Sequence, residues 1–322
     1  MLVSVVLPCY NGAETLGVML ESLLRQTYSG DWELVFVNNG STDNSVAIAM
    51  SYADRLPVRV VNAYSGTGPH GSTGHSYFVG FRAAKGDVIL VCESDDECDP
   101  DWMKHMVKAL ETNDFVVPAL EYERLNPPEM TWGPDRGLQA RAEGDLPSYI
   151  GPLHLPFAVC NAIGMTRACY QRVGDPTDWM GTSWDVDYCW RVQLAGMRLT
   201  FVREALVHYR LRSTAPARFR QARNWGRGQV ALQVRYGLRH WSRYLVFVLL
   251  RLLQTGTAMT FGPIFTRRPF AYWVFDWGFA RGQLDSFPAL VEAYRKRVPA
   301  DGKILAGEQP DGPQTFAAIP DA

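Results

Sequence analysis

No Cys-x-x-Cys pair occurs among the six cysteines, Cys9, Cys92, Cys98, Cys160, Cys169 and Cys189. Their scatter supports neither a zinc site nor a disulfide framework. Net charge is nearly absent as well: 32 Lys and Arg against 33 Asp and Glu leave −1, which argues against a strongly cationic nucleic-acid binder. No internal repeat is visible. The first residues run directly into a strand-like stretch at 3–7, leaving no room for the basic and apolar regions of a signal peptide, so a cytosolic, reducing setting is expected. With 47% hydrophobic and 20% charged residues, disorder is excluded as the main theme. A chain of 322 residues implies one large domain or one domain with an appendage, since single cores stop growing at about 250–300 residues. Only the stretch from about Ala300 onward, rich in Gly, Pro, Asp and Ala without periodicity, reads as disordered.

What is present is an alternation. Short Val- and Ile-rich runs at 3–7, 33–37, 58–62, 88–92 and 115–120 are separated by helical patterns, which predicts βαβ units and a mostly parallel sheet. Leu16, Leu20, Leu23 and Leu24 fall at helical spacing and predict an amphipathic helix over 13–26, with Asn11 and Glu14 as a capping box. Helices are also expected over 42–53, 76–84 and 101–111. Periodicity fails from Arg124 to Pro156, a length typical of functional loops. Order returns at 157–165, followed by a helix over 185–195, a strand-like run at 199–209 and a helical region over 217–295.

Ligands of open α/β sheets bind beyond the carboxyl ends of the strands, and the polar clusters fall there. The first strand ends in Pro8, Cys9, Tyr10 and Asn11; the second in Asn38, Asn39, Gly40, Ser41, Thr42 and Asp43; the fourth in Glu93, Ser94, Asp95, Asp96 and Glu97. Ser41 and Asp43 read simply as helix caps, which leaves the tandem amides unexplained. Glu93, Asp95 and Asp96 in one turn repel one another unless a cation is present. Mg²⁺ or Mn²⁺ bridging to a diphosphate is the natural partner, and an acidic turn capping the next helix through Asp99 is the alternative.

Four segments, VSVVLPCYNGAETL, LVFVNNGSTDNS, GDVILVCESDDECDPDW and SWDVDYCWR, occur in order from about Val3 to Tyr209. Together they resemble family 2 glycosyltransferases of the GT-A fold, an α/β architecture with a mixed sheet flanked by helices. The resemblance implies inverting transfer of a sugar from a nucleotide donor to an acceptor hydroxyl. It divides the chain into a catalytic domain over 1–212 (nucleotide half about 1–123, acceptor half about 124–212), a helical region over 213–298 and a tail over 299–322. Pro8, Tyr10, Asn11, Asn38, Ser41, Arg82, Ser94 and Asp95 would border the donor. Asn38 stands where the family usually has a base-reading Asp; its carbonyl still accepts from the N–H of uracil or thymine, so UDP or dTDP donors are expected.

Glu93 and Asp95 match the family's Asp-x-Asp metal motif with Glu for the first Asp, and His208 falls where the resembling enzymes have a metal or diphosphate contact. A lone His at a strand end otherwise reads as a satisfied structural residue. Asp185 matches the family's general base. Asp187 pairs at i+4 spacing with Arg191, a structural contact, and Trp184 replaces the usual Glu; both are candidates for the acceptor side. Trp132, Trp179 and Trp184 are candidates to stack on sugar rings. Gly66, Gly68 and Gly71 match Gly-x-Gly-x-x-Gly, the weak signature of a dinucleotide-binding oxidoreductase. The departures at Asn38, Glu93 and Trp184 motivate a further alternative, a nucleotide-sugar-binding partner subunit with little catalysis.

No acidic residue lies between Glu204 and Asp276, a stretch that holds twelve arginines. The apolar run 244–265 inside it is broken by Arg251, Gln254 and Gly256, which makes a bilayer span expensive. Docking at an anionic membrane surface is expected, with Trp241, Tyr244, Phe247 and Leu250 entering the boundary; packing on the catalytic domain or a dimer is the alternative. Nucleic acid fits poorly. The expected location is cytoplasmic, peripheral on the inner face of the cell membrane, with a glycan or lipid-linked acceptor.

Overall fold

Valine-rich runs flanked by turn residues become the central strands. The computed structural model describes residues 1–64, 72–127, 155–158, 162–236, 241–265 and 270–297. In order, the elements are β1 (Val3–Cys9), α1 (Leu16–Leu24), β2 (Trp32–Asn38), α2 (Ser45–Met50), β3 (Val58–Asn62), α3 (Thr73–Ala83), β4 (Val88–Val91), β5 (Glu97–Cys98), α4 (Trp102–Leu110) and β6 (Phe115–Glu121). They continue with β7 (Gly164–Thr166), α5 (Arg167–Val173), a 3₁₀ segment (Asp178–Ser183), α6 (Trp184–Leu194), β8 (Leu199–His208), α7 (Ala215–Tyr236), α8 (Trp241–Phe265), α9 (Phe270–Asp285) and α10 (Phe287–Arg297).

The described strands form one sheet of eight in the order β3-β2-β1-β4-β7-β6-β8-β5. The β3-β2-β1-β4 half is parallel. β7 then runs antiparallel to both β4 and β6, and the two-residue β5 runs antiparallel to β8. β6 and β8 pair in parallel, so the longer pairings are parallel as the sequence implies, and the sheet is mixed because the short strands β7 and β5 run antiparallel to their neighbours. Successive β1 side chains face opposite sides, as the strand period requires. Val3, Val5 and Leu7 join Leu16, Leu20 and Met103 in one core, while Val6 joins Val37, Phe81 and Tyr188 in the other. On that second face α3 lies close because residue 80 is glycine: a β-carbon there would overlap the Val6 side chain.

Several local expectations are corrected. The first helix begins at Leu16, and Asn11 does not cap it: Asn11 takes a left-handed φ of 49°, and its Oδ1 accepts from the Thr42 N–H at 2.8 Å. The helix expected from Ser76 begins at Thr73, where the Ser72 side chain accepts the His75 N–H. The C-terminal region is helical as the pattern implies. Within it, α7 and α9 approach so closely that a β-carbon at Gly226 or Gly282 would overlap the facing backbone of Phe279 or Arg223. Most of the loop after Arg124, the glycine motif at 66–71, Trp132, the side chains of Trp179 and Trp241, and the tail lie outside the described residues.

Candidate functional site

The parallel half of the sheet reverses its strand order at β1, which has β2 on one side and β4 on the other. At such a switch point the loops diverge and leave a crevice. A cleft of about 330 Å³ opens there. Its walls include Pro8, Tyr10, Asn11 and Gly12 after β1, Asn39 after β2, and Glu93, Ser94 and Asp95 after β4. Arg210 and Arg212, just past β8, also line it, together with Thr73, Ser76 and Tyr77 from the first turns of α3. Five of the sequence candidates, Pro8, Tyr10, Asn11, Ser94 and Asp95, therefore meet in this cleft with Glu93.

The loop after β1 is held by the loop after β2. The Asn11 N–H donates to Ser41 Oγ (3.1 Å), the Gly12 N–H to Ser45 Oγ (2.9 Å) and the Ala13 N–H to Asp43 Oδ2 (2.9 Å). Ser41 thus braces this loop, while Asp43 does so through Oδ2 and also caps α2, its Oδ1 accepting the N–H of Ser45 at 3.0 Å. Gly12 is needed for close approach, since a β-carbon would lie 2.9 Å from Cys9 Sγ and 3.1 Å from Ser94 Oγ. Asn38 turns inward: its Nδ2 donates to Asn62 Oδ1 (3.0 Å) and its Oδ1 accepts the Ser41 N–H (2.9 Å). It is Asn39 that reaches the cleft wall, and its Oδ1 is buried without a hydrogen-bond partner.

Charge is arranged in opposed layers. Burial, and then the charge of Asp95, push the Glu93 carboxyl up to about 7. The Tyr77 hydroxyl donates to Glu93 Oε1 at 2.9 Å, and Arg212 pairs with Asp95 at 2.6 Å. Arg210 donates from Nε to the Asp95 carbonyl and from its N–H to Asp96 Oδ1, both at 2.8 Å. The N-terminal turn of α3, which brings Thr73 and Ser76 to the cleft, completes a wall suited to phosphate, since the N-terminus of a helix attracts anions.

Trp184 joins the two acidic motifs. Its ring stacks on Tyr77 with centroids 4.1 Å apart, and Tyr77 is the residue that holds Glu93. Asp185 follows at the start of α6, one carboxylate oxygen accepting the Val186 N–H at 2.7 Å, and its charge reaches Glu93 and adds to the upward push there. Asp187 points the other way. Its fully buried carboxylate accepts from Thr177 Oγ1 (2.7 Å), Arg191 Nε (3.1 Å), Arg235 Nε (2.9 Å) and Tyr236 Oη (2.7 Å). The Arg191 contact is the one that i+4 spacing implies; the other three are not legible from spacing.

Two further candidates stand apart from the cleft walls. Arg82 pairs with Asp175 at 2.8 Å and lies over the Phe78 ring. His208 sets Nδ1 against Glu121 Oε2 at 2.6 Å, while its Nε2 is buried without a hydrogen-bond partner. Among the described residues no group of three or more His, Cys, Asp or Glu is gathered as a metal cluster.

The family model described as "Glycosyl transferase family 2" matches residues 4–174, just over half the chain. An uncharacterized glycosyltransferase of Nostoc sp. is 32% identical over 116 residues, covering 36% of this chain and 35% of its own length. The uncharacterized glycosyltransferase YwdF of Bacillus subtilis is 34% identical over 116 residues, covering 36% and 41%. The matched part thus spans well under half of those relatives. Among solved structures, the mannosyltransferase PcManGT of Pyrobaculum calidifontis, in complex with GDP-Man and Mn²⁺, aligns with a TM-score of 0.54 at 16% identity over 94% of this chain and 76% of that one. S. aureus TarS 1-349 in complex with UDP aligns with a TM-score of 0.53 at 17% identity over 96% and 98%. The structural matches establish the fold as that of GT-A glycosyltransferases. With the model match running from β1 through α5 and the cleft at the switch point between β1 and β4, the chain belongs to glycosyl transferase family 2.

Proposed function

We propose that this chain is a nucleotide-sugar-dependent glycosyltransferase that inverts the anomeric centre. Its donor would be a UDP or dTDP sugar and its acceptor a glycan or lipid-linked glycan in surface polysaccharide or glycolipid synthesis. The observation that carries the reading is the Trp184–Tyr77–Glu93 bridge, with Asp185 within electrostatic reach of Glu93 at the cleft. Residues 1–123 would hold the nucleotide and 124–212 the acceptor. UDP and GDP-Man in the structural neighbours support a nucleotide-sugar donor.

The Asp185 carboxylate takes the proton of the acceptor hydroxyl as that oxygen attacks the anomeric carbon from the face opposite the diphosphate. The bond from that carbon to the diphosphate oxygen breaks, and its electron pair leaves with the diphosphate. Arg210, Arg212 and the α3 N-terminus meet the developing charge. Glu93 and Asp95 fit a hard divalent ion, because Mg²⁺ and Mn²⁺ are commonly held by one or two carboxylates completed by phosphate oxygens and water. The two side chains share the cleft wall, and their mutual repulsion asks for positive charge. Such an ion would neutralise charge on the departing diphosphate.

The test is a panel of UDP, dTDP and GDP sugars with Mn²⁺, Mg²⁺ or EDTA, following nucleoside diphosphate release. Metal-dependent release from one donor, lost in Asp185→Asn while donor binding persists, is the expected result. Binding without release in the wild type would instead favour a partner subunit, a reading to which the Arg212–Asp95 pair lends some support by occupying the acidic motif. Family membership removes the oxidoreductase alternative. In the same reading the protein is peripheral on the cytoplasmic face of the cell membrane, with residues 213–298 as the membrane-proximal region.

A further inference from the structure

Helix α8 is inverted relative to a soluble helix, because its most apolar side chains face outward. Val246, Phe247, Leu249, Leu250, Leu253 and Phe261 are between 48% and 66% exposed, and their spacing of three and four residues gathers them into one stripe. The threonines on this helix add little polarity. Thr257 Oγ1 donates to the Leu253 carbonyl (2.9 Å) and Thr260 Oγ1 to the Gly256 carbonyl (3.0 Å), so each hydroxyl is satisfied by its own helix. Beside the stripe lies a groove of about 460 Å³ between α8 and α9. Leu252, Leu253, Thr257, Thr260 and Phe261 line it with Trp277 of α9. Gly256 keeps it open, since a β-carbon there would come within 3.0 Å of the Trp277 ring.

The segment Ser242–Gly262, 21 residues long, has the length and apolar composition to cross a bilayer, and little of it is buried. Its inner face argues against crossing. Arg251 reaches Asp276 of α9 at 3.6 Å and lies over the Phe279 ring, and α9 also carries the Arg281–Asp285 pair. A spanning α8 would draw these charges into hydrocarbon, which is expensive. An in-plane helix keeps them on the protein side. The flanks are cationic in sequence: Arg243 is exposed, Arg239, Arg267 and Arg268 adjoin the helix and no acidic residue occurs over 205–275, while Asp276 is turned to Arg251 on the inner face.

We propose that α8 lies in the plane of an anionic bilayer with this stripe submerged, and that the groove beside Gly256 seats a single phospholipid acyl chain. This deepens the peripheral-membrane part of the proposed function and is independent of the catalytic part. Apolar area supplies the anchoring, and arginine attraction to acidic headgroups supplies the choice of membrane.

The test uses the full chain with vesicles of phosphatidylcholine alone or mixed with phosphatidylglycerol. Co-sedimentation is expected to be at least about tenfold stronger on the anionic vesicles. Leu250→Glu/Leu253→Glu should weaken it by at least about 100-fold. Bimane attached at Leu253→Cys, Thr260→Cys or, as a control on the turn after α2, Asp54→Cys then reports depth through quenching by brominated acyl chains. Strong quenching at 253 and 260 with none at 54 is the expected result. Quenching at 253 but not at 260 would overturn the acyl-chain groove while leaving the membrane reading standing. Absence of vesicle binding would overturn both, and a concentration-dependent dimer protecting the 253 label would assign the stripe to a second copy. None of these outcomes bears on nucleoside diphosphate release, so the catalytic reading is judged separately.

Discussion

Replacing Asp187 with asparagine should destabilise the protein strongly, although the substitution changes almost nothing in volume. The native carboxylate is fully buried and receives two guanidinium and two hydroxyl hydrogen bonds. Arg191 and Arg235, with side chains only 17% and 20% exposed, would be left facing a neutral amide. Removing one member of a buried ion pair costs about 3–5 kcal/mol, and the partial exposure of both arginines puts this case near the lower end, at ~3 kcal/mol. For a chain of this size 1 kcal/mol corresponds to about 2–4 °C, so Tm should fall by roughly 6–12 °C. Differential scanning fluorimetry at a fixed scan rate checks this, with Asp185→Asn as the paired control; Asp185 is half-buried and solvent screens its charge, so its loss should cost far less. The double variant Asp187→Asn/Arg235→Met should recover part of the loss, because one stranded charge is gone. A Tm within about 2 °C of wild type for Asp187→Asn, or equal losses for the two asparagine variants, would refute the reasoning.

Arg212→Ala should weaken UDP binding about 10–100-fold by isothermal titration, the value of one lost charge-assisted contact; unchanged affinity would remove Arg212 from the donor site. Native protein should show at most one fast-reacting thiol with Ellman's reagent, since Cys9, Cys92, Cys98, Cys169 and Cys189 are free and buried and burial pushes the Cys169 thiol up to about 12. Two or more fast thiols would contradict that burial. Burial pushes the Glu33 carboxyl up, but hydrogen bonds from Ser4, Arg59 and the Lys85 N–H outweigh it and hold the group below the ordinary carboxylate range. Its contribution is therefore present above the unfolded value and is lost as pH falls through the folded one. Glu33→Gln should flatten the loss of stability between about pH 5 and pH 3 measured by urea titration; parallel curves would refute this.

The parallel part of the sheet was legible because β1, β2 and β4 are largely buried on both faces and so read as Val-rich apolar runs. The strands β5 and β7 were not, being two and three residues long and too short to display any period. Asn11 misled for a physical reason: the same short amide that caps a helix also tolerates left-handed backbone, and here the second use applies. In the site, the cluster at Glu93–Asp95 announced itself by charge density. Tyr77 did not, because an aromatic on an amphipathic helix looks like core, and it is core on one side while its hydroxyl serves Glu93 on the other. Arg210 and Arg212 stood in the sequence only as two of the twelve arginines between Glu204 and Asp276. The structure turns those two toward Asp95 and Asp96 while His208 faces Glu121. Asp187 showed one partner at i+4; Arg235 and Tyr236 lie too far along the chain for any local rule to find.

The seam between the α/β part and the C-terminal helices looks in sequence like a natural place to cut. A chain ended after Arg212 would nevertheless strip Asp187 of Arg235 and Tyr236, two of its four partners. It would also uncover the Ser183 surface on which Gly228 rests. Minimal catalytic fragments designed from family boundaries alone would therefore begin life with a wounded interior. The shortest version of this protein worth expressing for crystallisation or assay is one that keeps α7, together with the α9 that splints it.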